Sequence, residues 1–425
     1  MTRIAITRRS TAIALLGFAV LPAAAQRLAV THAKAYLVPG KPATEDATIL
    51  IDAGKVRAAG SGLRVPAGYQ VIDAKGAIVT PGLMDSNTQL ALTETGGADN
   101  TDSAVTSEPF GEAFDPEYAL NPNTTVIPIV RADGLTRAVS LPTGSAAPPF
   151  TGQATVLVLN EGANILDKPR AAVVAHIGGM VVNATGGSRA AAWQLVRAAL
   201  DAASGKGTAV KAPATTSINI AALKPVIEGK TQLVIEASRE SDLRQAVALV
   251  EDYKIHVVLV GAEEGWRIAP LLASHHIDVV LDPYIDSPYY YDSIGTRLDN
   301  AAILDKAGVN VSFQGTFVHV TYNAGMAVRE GAGIAVANGM LWNHALRALT
   351  SGPATTWGIA DHYGTLESGM DADLVVWDGD PLEPMTNPIT VVVKGKIVSL
   401  NNRQRMLERR YAPANINSKI PAAYR

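Results

Sequence analysis

The sequence contains no cysteine. That excludes disulfides, thiolate zinc sites and cysteine nucleophiles together. Aromatic residues make up only 5% and charged residues only 18% of the 425 positions, and the net charge is −3. No basic tract stands out beyond the N-terminus, so the basic face of a nucleic-acid binder is missing. Long apolar runs are missing as well. The clearest, from Ala12 to Leu21, is about ten residues, half of what a spanning helix needs. What is present is apolar side chain, at 48%, which supplies a sizeable core and excludes intrinsic disorder.

The short run has a context. Arg3, Arg8 and Arg9 precede it, and Ala23 and Ala25 follow as the small residues of a cleavage site. This order predicts a signal peptide over 1–25. The mature chain is then expected to be soluble and periplasmic or secreted, with no membrane attachment after cleavage. The paired arginines leave the Sec and Tat export routes both open.

From Leu28 to Thr80, apolar and polar residues alternate between turn signals such as Ala53-Gly54 and Lys75-Gly76, a strand texture. Beyond Pro81 short β-branched runs alternate with Ala-rich amphipathic stretches. The clearest runs are 154–160, 171–179, 231–237, 255–262, 276–282 and 309–313. Apolar runs separated by helices predict parallel strands in βα units. Strand texture returns from Gly364. The expected fold is α/β: a (β/α)8 TIM-like barrel over 81–362, plus a small β-sandwich built from 26–80 and 363–403, with a polar C-terminal tail over 404–425.

Four motifs carry a family resemblance: GKVRAAG (54–60), VIDAKGAIVTPGLMD (71–85), the long stretch 345–381 with Gly369, Ala372, Asp373 and Leu374, and VVVKGKIV (391–398). In their order and spacing the chain resembles the amidohydrolase superfamily, and within it the exported imidazolonepropionase-like branch. The resemblance implies hydrolysis of non-peptide C–N bonds by a divalent metal at the C-terminal ends of the barrel strands. That metal would be held by a His-x-His, two later histidines and an aspartate.

Those ligands are not in place. Asn87 and Gln89 stand where the resemblance puts the His-x-His, Glu236 where a histidine is expected, and Phe317 where the terminal aspartate is expected. None of the eight histidines forms a His-x-His. Carboxamide oxygens are poor substitutes for imidazole on zinc. No catalytic residue and no metal ligand is therefore assigned, and no cofactor is expected. The barrel-mouth candidates are Asn87, Gln89, His176, Glu236, Phe317 and His319. His176 reads first as a core histidine; Glu236 reads equally as an acid, base or hard-ion ligand and as an arginine's ion-pair partner. Asp85 matches a position that the resemblance does not make a ligand, and Asp373 reads as structural. Tyr284, Tyr289, Tyr290 and Tyr291 form either a packed loop or a lid or partner surface. Two functions stay open. One is a non-catalytic protein that binds a small molecule or partners an active amidohydrolase paralogue. The other is a hydrolase of cyclic amide or amidino compounds with a remodelled site, which would bring back a divalent metal.

Overall fold

The computed structural model describes residues 26–94, 102–107, 109–206, 215–285, 288, 290–315 and 323–412. The leading segment 1–25, Tyr289, Phe317 and His319 lie outside the described residues.

The chain opens with β1 (Leu28–Ala35), β2 (Thr44–Asp52), β3 (Lys55–Ser61), β4 (Gln70–Asp73) and β5 (Ile78–Pro81). Ala53 and Gly54, both with positive φ (51° and 81°), make the tight turn between β2 and β3. Two left-handed residues in succession match the right-handed twist of the paired strands. The middle of the chain contributes β6 (Leu83–Thr88), β7 (Leu135–Ser140), β8 (Phe150–Val158) and β9 (Leu166–His176). It continues with β10 (Gln232–Ala237), β11 (Val257–Gly261), β12 (Asp278–Leu281) and β13 (Val311–Phe313). The last strands are β14 (Leu374–Trp377), β15 (Pro388–Val393) and β16 (Lys396–Ile397).

Two sheets result. In the first the order is β16-β15-β14-β5-β1-β2-β3, with β4 on β1. Its two halves meet where β5 pairs antiparallel with β14, Pro81 opposite Leu374. Strand-textured segments from both ends of the chain thus share one sheet. In the second sheet the order runs from β13 through to β6 without a break, and β6 and β13 approach each other so that it nearly closes.

This barrel departs from eight regular βα units at one strand. β8 runs antiparallel to both β7 and β9. The links 141–149 and 159–165 are too short for the crossover that parallel neighbours require, so the chain turns back on itself instead. The other neighbours in the sheet are parallel.

Alternation along the strands divides the core. Met84, Val139, Val156, Val174, Val234, Val260 and Val280 form an inner cluster, closed at the N-terminal end of the barrel by Trp357 and Tyr363. Their neighbours of opposite parity, among them Val173, Leu233, Ile235 and Leu259, pack outward against helices. Helix Arg189–Ala203 presents Val196 and Leu200, and helix Glu240–Tyr253 presents Leu243 and Val247. Each fully buried valine or leucine contributes roughly 1.5–3 kcal/mol. Ser188 caps the first of these helices, its hydroxyl accepting the Ala190 N–H, as the Gly186-Gly187-Ser188 turn suggests.

The seam between barrel and first sheet is ionic. Arg137, fully buried on β7, reaches Asp371 at 2.7 Å, Asp373 at 3.1 Å and Asp167 at 3.5 Å. Lys55 lies 2.6 Å from Asp371 and Lys394 lies 3.2 Å from Asp167.

Candidate functional site at the barrel mouth

Because residues two apart on a strand share a face, the inner columns predict what stands above them. On β9 the residue after Val174 on that face is His176; on β10 the one after Val234 is Glu236. The two strands are parallel and in register, His176 opposite Glu236. Their side chains meet, His176 Nδ1 lying 3.1 Å from Glu236 Oε2, and both stay partly open to solvent, at 28% and 40%. His176 is therefore not a histidine satisfied in the core, and the partner of Glu236 is an imidazole, not an arginine.

The electrostatics reinforce the pair. Burial pulls His176 down, but Glu236, with Asp292 and Glu263 behind it, holds it above the ordinary imidazole range. Burial pushes Glu236 up, and the imidazole outweighs that and holds it low. Glu263, just past β11, is raised by burial, with the charges of Glu236 and Asp292 adding to it. Asp292 is clamped by Arg189 and by Arg239, the latter at 2.5 Å. That clamp fixes the loop carrying Tyr290 and Tyr291 to the starts of two helices, and Arg239 also lies over the Tyr291 ring. Both tyrosines are exposed.

Across the mouth, β6 closes on the end of β13. Asp85 Oδ1 accepts the Asn87 N–H at 3.0 Å, and Oδ2 accepts the Gly315 N–H at 3.1 Å. Asn87 Nδ2 donates to Gln314 Oε1 at 2.9 Å. Gln89 follows in a turn, its backbone carbonyl accepting from Leu92 and Thr93. Asp85 is fully buried, and burial, with Asp282 adding to it, pushes its carboxyl up to about 7.

The sequence comparisons fit this architecture. The model of the amidohydrolase family matches residues 179–398, more than half of the chain. The chain belongs to the amidohydrolase family. Amidohydrolase tasK of Hapsidospora irregularis is 40% identical over 57 residues, covering 13% of this chain. The matched stretch is only 6% of that relative's length. Among solved structures, an amidohydrolase from Thermotoga maritima MSB8 superposes with a TM-score of 0.76 at 21% identity, covering 88% of this chain and 99% of its own. A prolidase complexed with N-methylphosphonate-L-proline superposes with a TM-score of 0.57 at 16% identity, covering 88% and 100%. At such identities the superpositions establish the fold.

Amidohydrolases usually work with a divalent metal, and the donor set here can be tested against one. A catalytic zinc takes three protein ligands and a water. His176 gives Nδ1 to Glu236, and its Nε2 is packed so close to Gly178 that a Cβ there would lie 2.5 Å away. Both Asp85 oxygens and the Asn87 amide are engaged in closing the sheet. Among the described residues no three His, Asp or Glu donor atoms at the mouth lie within 4.8 Å of one another. The group that does, Asp167, His362 and Asp371, sits at the opposite end of the barrel. There Lys55, Lys394 and Arg137 already neutralise the carboxylates, and both His362 nitrogens face aspartates, Asp361 and Asp167. Among the described residues, neither place fits the metal.

Sequence reasoning named His176 and Glu236 separately and missed their pairing. The equal position of each after its own Val column was the available signal. It also missed Arg137, one charge in an otherwise buried strand, and Glu112. The latter is fully buried with no partner for either oxygen among the described residues, and burial pushes its carboxyl up to about 9.

Proposed function

We propose that this chain is an exported, non-hydrolytic amidohydrolase-family protein whose barrel mouth binds a small molecule, on its own or as the partner of an active relative. The observation that carries this reading is that, among the described residues, Asp85, Asn87 and His176 at the mouth are each engaged by a neighbour. Asp85 is held by two backbone N–H groups, Asn87 by Gln314, and His176 by Glu236. Metal-assisted hydrolysis needs ligands free to fix an ion and its activated water. What remains is a polar, partly exposed rim, with an imidazolium–carboxylate pair able to orient a ligand carrying both donors and acceptors.

Protein recovered from the periplasm, starting near Gln26 and purified without chelator, is expected to hold no stoichiometric zinc, nickel or manganese and to leave cyclic amides and amidino compounds intact. Elemental analysis with a metal titration checks this. One tightly held transition metal per chain, lost in Glu236→Gln or His176→Gln, would establish the remodelled hydrolase instead.

A further inference from the structure

The antiparallel course of β8 leaves part of the barrel flank without the helix that a βα unit would lay over it. A cavity of about 490 Å³ opens there, between β8, β9 and helix Ser217–Ile227. Its polar lining comes from Gln153, Lys168, Arg170, Lys230 and Thr231; Ala222 and Pro225 of the helix form an apolar wall. Three cations line it, of which Arg170 is paired with Asp115 and Lys230 with Glu228 at 2.8 Å, while Lys168 has no carboxylate partner among the described residues. We propose that this cavity is a binding site for a small organic anion, with the anionic head on Lys168 and the Gln153 amide and an apolar body against the helix.

Two side chains give the proposal more than surface charge. Gln153 is only 7% exposed, yet its side-chain amide has no hydrogen-bond partner among the described residues, while its backbone N–H donates to Phe114 O at 2.8 Å. The amide opens into the cavity, where its carbonyl and NH2 are placed to bond to whatever occupies it. Lys168 Nζ donates to the backbone carbonyls of Trp357 at 3.0 Å and Gly358 at 3.1 Å, which leaves one N–H for a ligand and, among the described residues, no carboxylate in contact. Burial pulls this ammonium below its ordinary value, a cost that a bound anion relieves. Capping the carbonyls near Trp357 accounts for Lys168 alone; it does not account for Gln153.

Arg170 is placed rigidly at the rim. It sits on β9 at φ 49°, in the left-handed region that favours glycine, and is held there by Asp115 at 2.7 Å and the Tyr118 hydroxyl at 3.3 Å. Left-handed backbone at a non-glycine residue is strained and persists only where its surroundings enforce it.

Calorimetric titration of the full chain with phenyl phosphate, and with inorganic phosphate for comparison, tests the site. Saturable binding is expected, tighter for phenyl phosphate. Lys168→Met keeps the stem and removes the charge, and should weaken binding roughly tenfold or more. Ala222→Trp fills the cavity without touching a charge and should weaken it as much, with the melting temperature confirming that each variant folds. Failure of either probe to saturate at millimolar concentration overturns the site. So does wild-type affinity in Ala222→Trp, whatever the result for Lys168→Met.

Discussion

The two ends of the barrel both carry buried charge, and they neutralise it differently. At the N-terminal end three aspartates, Asp167, Asp371 and Asp373, surround one guanidinium, with Lys55 and Lys394 beside them. Each of these charges has an opposite charge from a distant part of the chain, so the network ties the barrel to the first sheet. At the mouth, Asp85 is held by backbone N–H groups and Glu236 by a single imidazole. Full cross-compensation belongs to the end that carries the architecture. The end where barrel enzymes keep their chemistry combines the arginine clamp on Asp292 with weaker, titratable pairs that a ligand can enter.

The largest effect should come from breaking the N-terminal network. Arg137→Met strands three aspartates in a buried seam and is expected to cost about 3–5 kcal/mol. Denaturant unfolding measures it, and a loss below about 1 kcal/mol would mean that the lysines alone hold the seam.

At the mouth, Asp85 gives the next largest effect, and it depends on pH. Its folded value, about 7, lies above the ordinary 3.8, so the fold favours the protonated form. Stability from this group is full below pH 4 and falls as pH rises toward 7, by roughly 2–4 kcal/mol. Asp85→Asn should remove that slope. The difference between wild-type and variant unfolding free energies, followed from pH 4 to pH 8, reports it; parallel curves would show that Asp85 does not titrate there.

The smallest effect concerns the exposed pair. Glu236→Gln should change stability by less than about 1 kcal/mol, because solvent screens both partners. It should nonetheless lower the His176 pKa measurably in an NMR titration. The signs agree: the raised imidazole stabilises the fold below its own titration and the lowered carboxylate above its own, so the pair contributes most between the two. An unmoved His176 titration would show that Asp292 and Glu263, not Glu236, set its charge.

Much of the fold was legible because burial dictates periodicity. Each of the six apolar runs named from the sequence overlaps a strand of the barrel sheet, from β8 to β13. Strand direction was not legible in the same way. The run at 154–160 reads the same whichever way it points, and only the short links at 141–149 and 159–165 reveal that β8 turns back. The mouth was half legible. Residue types announced the missing ligands at Asn87 and Gln89, but the Asn87–Gln314 bond joins positions 227 apart, a contact no local pattern encodes. Asp373 was correctly read as structural, while its guanidinium partner on β7 was invisible until the seam had formed.

The pairing of β5 with β14 also sets an order of events during synthesis. β5 leaves the ribosome with an unpaired edge, and the strand that covers it does not emerge until residues 374–377. At 5–20 residues per second the wait is on the order of 15–60 s. Through that interval the early sheet exposes a β-edge of the kind that invites intermolecular pairing. Any factor that shields nascent or unfolded chains should therefore matter most for the N-terminal eighty residues, and least for the β7–β8–β9 meander, whose partners follow within a few residues of one another.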